Sequence, residues 1–269
     1  MNLLERNMVD LLKELKEEYH VIGIKAEFEA EGTRLEEGLR LKEVISAAGL
    51  DLTLKIGGCE AVRDMYETRI IGVSRVVAPM VESPFALKKF LEAIDKVYPE
   101  DERTQIDFAI NIETVTAYQN LDAILSLPEI GKLNGIVVGR VDLSYSLGVG
   151  RDGVNSPYVS TMAEEILTKA KSKSLETAIG GGVSAQSVQV FRTWATGLLD
   201  RYETRKVIFG CPNALGSNAE KGILKAVYFE LLWLKNKRNF YGMIFAEDAS
   251  RIEMLESRYK DTMTELGII

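Results

Sequence analysis

The chain has 269 residues, of which 46% are hydrophobic and 27% are charged, which is enough for one large core. Its formal net charge of −7 at pH 7 argues against nucleic acid or an anionic membrane as the main partner. No apolar run approaches the ~18 residues that a membrane-spanning helix needs, and the charged N-terminus is unlike a signal peptide.

Apolar runs and helical periods alternate along the chain and predict a repeating order of strands and helices. An amphipathic helix over 2–19 comes first. The candidate strands that follow it are VIGIKAEF, LDLTLKI, RVVAPMVES, IDFAINIE, GIVVGRVD, ETAIGGG and KVIFG. The predicted helices between them span about 33–48, 60–71, 84–98, 116–127, 159–173 and 185–195. Two more helices are predicted over 217–269, with a break near 236–242.

Seven strands joined almost throughout by helices predict parallel pairing with right-handed crossovers. The sequence has no G-x-G-x-x-G after the first strand and no Walker-type loop, which disfavours a nucleotide-binding doubly wound sheet. A TIM (β/α)8-type barrel is favoured instead, with one strand short of eight because the first strand is lost or irregular. We expect a single barrel domain over 1–269, with 217–269 as a helical extension.

Two of the predicted strands end in a carboxylate, Glu113 after AINI and Asp142 after GIVVGRV. If these strands are parallel neighbours, both acids lie at one edge of the sheet. Two carboxylates held together need a cation between them, or one must stay protonated. Carboxylate and water oxygens suit Mg²⁺ or Mn²⁺, so a metal site is one interpretation. The alternative is that each acid separately caps a helix or a turn.

Other strand ends add acids and one lysine. Glu27 and Glu29 follow the first strand, and Lys55 follows the second. Lys55 is interpreted as a positive group that stabilises an enolate or a carboxylate, as a Schiff-base lysine, or as a surface residue. His20 is the single histidine and is interpreted as structural, so acid–base work falls to Asp, Glu, Lys, Tyr or water. Two cysteines without a metal-type spacing predict a reduced, cytoplasmic protein.

The segments APMVES, INIET and VVGRVDLSYSLG resemble, in order and spacing, the strand ends of the HpcH/HpaI aldolase and citrate lyase β-subunit family. The similarity covers roughly 52–148. It implies a TIM barrel whose C-terminal helix often swaps between subunits, giving homo-oligomers. It also implies carbon–carbon bond chemistry next to a pyruvate or acyl-CoA enolate, with a divalent metal holding a 2-oxo acid. By this resemblance Glu113 and Asp142 are the metal ligands, and the backbone of Gly139, Arg140 and Val141 holds the substrate carboxylate.

Three departures from the family pattern stand out. Lys55 occupies the position where the family usually has an arginine, so a point charge replaces a bidentate fork. The D-x-E-H segment of the aldolase branch is replaced by residues 27–30, EFEA, so its histidine is absent. Arg140 and Val141 replace the proline of G-P-A-D. A carboxylate such as Glu27 or Glu29, or a metal-bound water, must then move the proton.

The leading hypothesis is therefore a class II, metal-dependent lyase or aldolase that acts on a 2-oxo acid and an unidentified aldehyde or acyl partner. A second hypothesis is a metal-free enzyme in which Lys55 forms an imine with the keto substrate. A third is a degenerate barrel that binds a small acid without turnover. The lost histidine and arginine motivate the third hypothesis.

Overall fold

The computed structural model describes residues 1–266, and across them eight strands close into a barrel in sequential order. The strands are β1 (Val21–Glu27), β2 (Asp51–Lys55), β3 (Arg75–Ala78), β4 (Asp107–Ile112), β5 (Gly135–Gly139), β6 (Glu176–Gly180), β7 (Arg201–Glu203) and β8 (Val207–Gly210). Helices lie between most of these strands, as the alternation in the sequence predicts. The TIM-type barrel with an added C-terminal helix is thus confirmed.

The helices surround the barrel and begin with α1, which precedes the first strand. Their bounds are α1 (Leu3–Tyr19), α2 (Leu35–Ala47), α3 (Val62–Ile71), α4 (Pro84–Val97), α5 (Glu100–Arg103), α6 (Val115–Gln119), α7 (Leu121–Leu125), α8 (Arg140–Ser146), α9 (Pro157–Ser172), α10 (Ala185–Phe191) and α11 (Ala219–Glu265). The helix predicted over 116–127 is two short helices, α6 and α7. None of the helices in the described part of the chain is both long and apolar enough to cross a bilayer.

The strand that the sequence analysis missed is β7, and the irregular part of the barrel is its closure. Neighbouring strands from β1 to β7 pair in parallel, whereas β8 pairs antiparallel with both β7 and β1. The register also shifts between Val21 and Gly23, where β1 meets β8. The expectation that the first strand is the lost one is therefore wrong: β1 is a strand of seven residues that pairs with both neighbours, and only its pairing with β8 is irregular.

Alternation along each strand separates an apolar outer layer from a partly polar lumen. Ile24, Leu54 and Ile110 are fully buried beneath the helices. Inward-facing positions near the middle of the barrel form a small apolar cluster of Val77, Ala109, Val137 and Ala178. Charged side chains lie above and below this cluster, at the carboxyl and amino ends of the parallel strands.

One continuous helix of 47 residues, α11, replaces the two helices predicted over 217–269. The predicted break near 236–242 is wrong because tertiary contacts hold this stretch to the barrel side. The Asn236 side chain is buried and bonds Asn2 and Glu5, and Lys237 pairs with Glu37 at 2.8 Å. These contacts offset the low helix propensity of Gly242, about 1 kcal/mol relative to alanine.

Candidate active site

The carboxyl ends of β1 and β2 place a lysine among acids at the mouth of the barrel. The parallel register sets Glu27 directly opposite Lys55. The Lys55 ammonium lies 2.7 Å from Glu29 and 3.7 Å from Glu27. Lys55 and Glu27 are buried, whereas the Glu29 side chain is 29% exposed. These three predicted site residues therefore meet at one place.

The Lys55 amine is held in its protonated form by these neighbours. Burial opposes the charge, but the carboxylates of Glu27, Glu113 and Glu29 outweigh it and raise the pKa of Lys55. A lysine with a raised pKa is a positive charge rather than a free nucleophile at neutral pH. This disfavours the imine route and favours an electrostatic role.

Glu113 follows β4 and is only 1% exposed, the most buried acid at the mouth. Its two oxygens accept hydrogen bonds from the Met80 backbone N–H at 3.0 Å and from the Asn111 amide at 2.8 Å. Met80 has a left-handed φ of 51°, a conformation that is strained for a residue with a side chain. Burial raises the pKa of Glu113 against the effects of Lys55, Asn111 and Met80, and Asp142 adds repulsion.

The helix-cap alternative does not hold for Glu113. The residue that caps α6 is Thr114, whose hydroxyl accepts the Ala117 backbone N–H at 3.0 Å. The same hydroxyl donates to Glu82 at 2.6 Å, which fixes the turn after β4. With the cap supplied by Thr114, the carboxylate of Glu113 is directed to the barrel mouth.

Asp142 lies in the first turn of α8, directly after β5, and is half-buried. Burial raises the pKa of Asp142 although Lys55 opposes it, and repulsion from Glu29 and Glu27 adds to the rise. A hydrogen bond with Glu113 acts in the opposite direction. The carboxyl groups of Glu113 and Asp142 are therefore adjacent, as expected if their strands are parallel neighbours.

The segment from Gly139 to Val141 lies against two other parts of the barrel mouth, Glu113 and Gly181. A Cβ at Gly139 would lie 2.7 Å from the Cβ of Glu113, so the glycine makes room for that acid. A Cβ at Gly181 would lie 2.6 Å from the Val141 nitrogen and 2.9 Å from the Arg140 nitrogen. The absence of a side chain at Gly181, which has a φ of +79°, keeps the space beside these two amides open.

The Arg140 side chain braces the barrel wall behind the site. Its guanidinium donates to the Gly180 and Gly181 carbonyls at 3.2 and 2.8 Å, and to Asn155 at 2.9 Å. It also lies 5.0 Å from the centre of the Phe191 ring. Burial without a carboxylate partner lowers the pKa of Arg140 to about 10. The Arg140 side chain is thus fully engaged by the barrel wall.

Three residues of the lumen, directly below the mouth, were not predicted from the sequence as site residues: Lys25, Asn111 and Glu203. Lys25 pairs with Glu203 at 3.0 Å and with Glu27 at 3.3 Å, and these acids together raise its pKa against burial. Asn111 has a buried amide oxygen without a hydrogen-bond partner. Period-two alternation from Glu27 to Lys25 and from Glu113 to Asn111 is a signal that could have found two of them.

The donor set is consistent with a small divalent cation. Within residues 1–266 no group of three or more His, Cys, Asp or Glu side chains is arranged to hold a metal. Mg²⁺ is usually held by one or two carboxylates together with waters and substrate oxygens, so the Glu113–Asp142 pair is sufficient. The unpartnered Asn111 oxygen lies beside this pair, since the amide nitrogen of the same side chain donates to Glu113, and burial raises the pKa of both acids. A 650 Å³ cavity between α1, α2 and α11 includes none of the predicted site residues.

Comparison with known proteins gives one family and several similar folds. The sequence model of HpcH/HpaI aldolase/citrate lyase matches residues 60–198. No curated protein matches the sequence. Among solved structures, the HpcH/HpaI aldolase from Desulfitobacterium hafniense DCB-2 is 16% identical with a TM-score of 0.59, covering 84% of this chain and 90% of that one.

Two other solved structures have a similar fold. An HpcH/HpaI aldolase/citrate lyase family protein from Burkholderia cenocepacia J2315 is 14% identical with a TM-score of 0.56, and 84% of this chain and 99% of that chain are covered. The citrate synthase SbnG is 16% identical with a TM-score of 0.55, covering 69% and 78% of the two chains. At these identities the structural likeness establishes a shared fold.

Proposed function

This chain belongs to the HpcH/HpaI aldolase/citrate lyase family, and from that premise we propose that it is a divalent-metal-dependent carbon–carbon lyase or aldolase acting on a 2-oxo acid. Family membership supports an activity of the aldolase or lyase type. The metal, the 2-oxo acid and the residue roles are the proposal's own content.

The observation that carries the proposal is the excess of negative charge at the barrel mouth. At the mouth and directly below it, the acids still outnumber the cations when every neighbouring pair is counted. Four cationic side chains, those of Lys25, Lys55, Arg205 and Lys206, lie there with six carboxylates, those of Glu27, Glu29, Glu31, Glu113, Asp142 and Glu203. The lysines pair with the acids of β1 and β7, and the remaining pair, Glu113 and Asp142, has raised pKa values. A bound cation would relieve the repulsion in that pair.

Glu113 and Asp142 would hold the divalent cation, with Mg²⁺ or Mn²⁺ preferred by their oxygen donors. When bound, such an ion polarises the carbonyl and carboxylate oxygens of a 2-oxo acid and favours the enolate. Asn111 and the Met80 amide fix the two oxygens of Glu113, so the acid cannot turn away from the mouth.

Lys55 supplies a second positive charge for the oxygen on which the enolate charge develops. Its ammonium is protonated and fixed by Glu29, so the charge is in place before the reaction. A lysine in the place of the family's arginine gives one donor direction rather than a fork.

Glu29 is the better of the two candidate bases. Lys25 and Lys55 lower the pKa of Glu27 despite its burial, and an acid so stabilised is a poor proton acceptor. Glu29 contacts Lys55 and is partly open to the mouth, so a substrate proton can reach it. The backbone amides of Arg140 and Val141, beside Gly181, would receive the substrate carboxylate.

The test is exchange of the methyl protons of pyruvate for deuterium, followed by NMR with Mg²⁺ or Mn²⁺ and then with EDTA. We expect exchange that depends on the metal and disappears in Glu113→Gln and Asp142→Asn. Glu92→Gln, which removes an exposed acid of α4, serves as the matched control and should exchange normally. Exchange that persists in EDTA would rule out the metal role.

Borohydride reduction in the presence of pyruvate separates the imine route. We expect no covalent adduct at Lys55, because its amine is protonated and paired. A trapped adduct at Lys55 would replace the metal mechanism by the imine one. Binding of metal and pyruvate without proton exchange, and without turnover on a panel of 2-oxo acids and aldehydes, would instead indicate a degenerate barrel.

A further inference from the structure

Five charged side chains of alternating sign cross the lumen from β7 to the loop after β1. Their order is Glu203, Lys25, Glu27, Lys55 and Glu29, so each lysine lies between two acids. The Lys25 ammonium lies 3.0 Å from Glu203 and 3.3 Å from Glu27. The Lys55 ammonium lies 3.7 Å from Glu27 and 2.7 Å from Glu29. We call these five residues the lumen charge chain.

Strand alternation and the short strand β8 bring the lower residues of the lumen charge chain together. Ile24 and Ala26 of β1 are fully buried beneath the helices, so Lys25 and Glu27 face the lumen. The strand β8 lies between β1 and β7, and across it Lys25 meets the β7 acid Glu203. The side chains of Lys25 and Glu203 are only 13% and 4% exposed. Both are enclosed by protein, so they act on the mouth through Glu27.

One oxygen of Glu27 is shared by the two lysines. Its Oε1 lies 3.3 Å from the Lys25 ammonium and 3.7 Å from the Lys55 ammonium. Lys25 is the nearer cation and compensates more of the charge. A carboxylate that already faces one cation attracts a second cation less strongly, because the two cations repel each other. Lys25 therefore weakens the attraction between Glu27 and Lys55.

Lys55 is closer to the more exposed of its two acids. The Glu27 side chain is 7% exposed, whereas the Glu29 side chain is 29% exposed. Attraction between charges is stronger where less water screens it, so an uncompensated Glu27 would be the better partner. Compensation of Glu27 by Lys25 accounts for the preference of Lys55 for Glu29.

We propose that Lys25 is a positioning residue that keeps the Lys55 ammonium at the barrel mouth. Glu203 holds Lys25 in place, and Lys25 neutralises Glu27. Lys55 then pairs with Glu29, beside the substrate. The inference rests on the proposed function, in which this ammonium stabilises the charge that develops on the enolate oxygen. Without Lys25, the full charge of Glu27 would draw Lys55 down into the lumen, and a misplaced charge loses much of its effect on a transition state.

The test removes Lys25 together with its lower acid. Lys25→Met alone would leave Glu203 buried without a partner, which is strongly destabilising. We therefore use Lys25→Met/Glu203→Gln, here called the double variant, in which Glu27 and Lys55 remain. The triple variant adds Glu27→Gln, so that Lys55 has no acid below it.

The matched control is Arg75→Met/Asp107→Asn at the amino end of the lumen. It also removes a buried cation and one of its acids. It leaves Glu176 paired with Arg201, just as the double variant leaves one acid with one lysine. Far-UV circular dichroism checks that each variant is folded.

Crystal structures of the metal-free proteins measure the position of Lys55. In the double variant we expect its ammonium to lie within about 3 Å of Glu27, with the contact to Glu29 broken. The triple variant and the control should keep the contact between Lys55 and Glu29. A Lys55 ammonium that stays on Glu29 in the double variant would overturn the proposal. These distances need neither metal nor substrate, so they test the role of Lys25 even if an inactive wild type overturns the proposed function.

Exchange of the pyruvate methyl protons with Mg²⁺ measures the consequence for the reaction. We expect the double variant to exchange about 10-fold more slowly than the wild type, because the positive charge is displaced. The triple variant should regain most of the rate, and the control should exchange normally. A role confined to stability would give no such rescue, because Glu27→Gln removes a further ion pair. With an active wild type, a double variant of unchanged rate or a triple variant without rescue would contradict the positioning role of Lys25.

Discussion

The two ends of the barrel lumen carry charge in opposite ways. At the amino end, Arg75 lies 2.7 Å from Asp107 and 3.0 Å from Glu176, and Arg201 also pairs with Glu176. Two arginines thus meet two acids, and the charges balance. At the carboxyl end, acids outnumber lysines, and Glu113 and Asp142 have raised pKa values. In TIM barrels chemistry is placed at the carboxyl end and stability at the amino end.

On the proposed function, the difference separates charges that stabilise the barrel from charges that bind a ligand. A balanced network satisfies its members within the protein. An acid whose pKa is raised by burial is less stable in its charged form than it would be in water. On the proposed function, Glu113 and Asp142 have this cost in stability because they bind the cation. Substitutions at the mouth should therefore lower activity and raise stability, whereas substitutions at the amino end should lower stability and leave activity unchanged.

Glu113→Gln should have the largest effect. We expect proton exchange on pyruvate to fall by about 10³-fold or more, because several kcal/mol of charge stabilisation are lost. The free energy of unfolding at pH 7 without metal should rise, because a buried charge with a raised pKa is removed. Urea denaturation and NMR exchange measure the two quantities. If Glu113→Gln lost both stability and activity, Glu113 would be a residue that stabilises the fold rather than one that binds the cation.

Arg75→Met, at the amino end of the lumen, should lower stability without changing activity. Removing the arginine leaves Asp107 and Glu176 without one partner, and we expect a loss of about 3 kcal/mol in the free energy of unfolding. Activity per folded molecule should not change, because the site lies at the other end. Arg63→Met, on the exposed face of α3, is the matched control with an effect near zero. Lost activity in folded Arg75→Met would contradict the assignment of activity to the carboxyl end of the lumen and stability to the amino end.

Lys55→Met should reduce turnover by about 10²-fold, the usual result of removing one preorganised charge from a developing oxyanion. Lys55→Arg should restore part of it, because the charge is kept and the fork resembles the family's arginine. Steady-state kinetics on a 2-oxo acid measures both variants. Equal loss in the two variants would favour a covalent role for the amine.

A smaller effect is expected in the pH dependence of stability, to which the two acids at the mouth, Glu113 and Asp142, contribute. Folding raises the pKa of Glu113 and Asp142 above the unfolded values, so the folded state binds their protons more tightly. Their contribution is present below the unfolded pKa values and is lost as pH rises through the folded ones. We therefore compare the slope of the unfolding free energy against pH, between pH 4 and 7 in EDTA. This slope should be more negative, or less positive, in the wild type than in Glu113→Gln. Identical slopes in urea titrations would contradict the raised pKa.

Much of the barrel could be predicted from the sequence because its parallel strands are uninterrupted apolar runs. The strand β7 was missed because RYE is short and two of its three residues are charged. Its charges make sense only in the lumen, where Arg201 meets Glu176 and Glu203 meets Lys25. The reversal of β8 likewise depends on closure of the barrel, which no local pattern records.

The acids of the candidate site could be predicted from the sequence, whereas the residues that pack around them could not. Glu113 and Asp142 stand at matching strand ends, so their proximity follows from parallel pairing. The role of Gly139 as space for Glu113 depends on contacts between different strands, as does the bracing by the Arg140 side chain. The false break near 236–242 arose because Gly242 is a weak helix former, while the fixing contacts of Asn236 are distant in sequence.

Binding of Mn²⁺, followed by electron paramagnetic resonance, tests the central claim most directly. The wild type should bind one Mn²⁺ per chain, and Glu113→Gln and Asp142→Asn should each bind it at least about 10-fold more weakly, as expected when a metal ligand is removed. Glu176→Gln, at the opposite end of the lumen, should bind as the wild type does. Equal binding in all four proteins would contradict the claim that the acidic mouth of the barrel is a metal site.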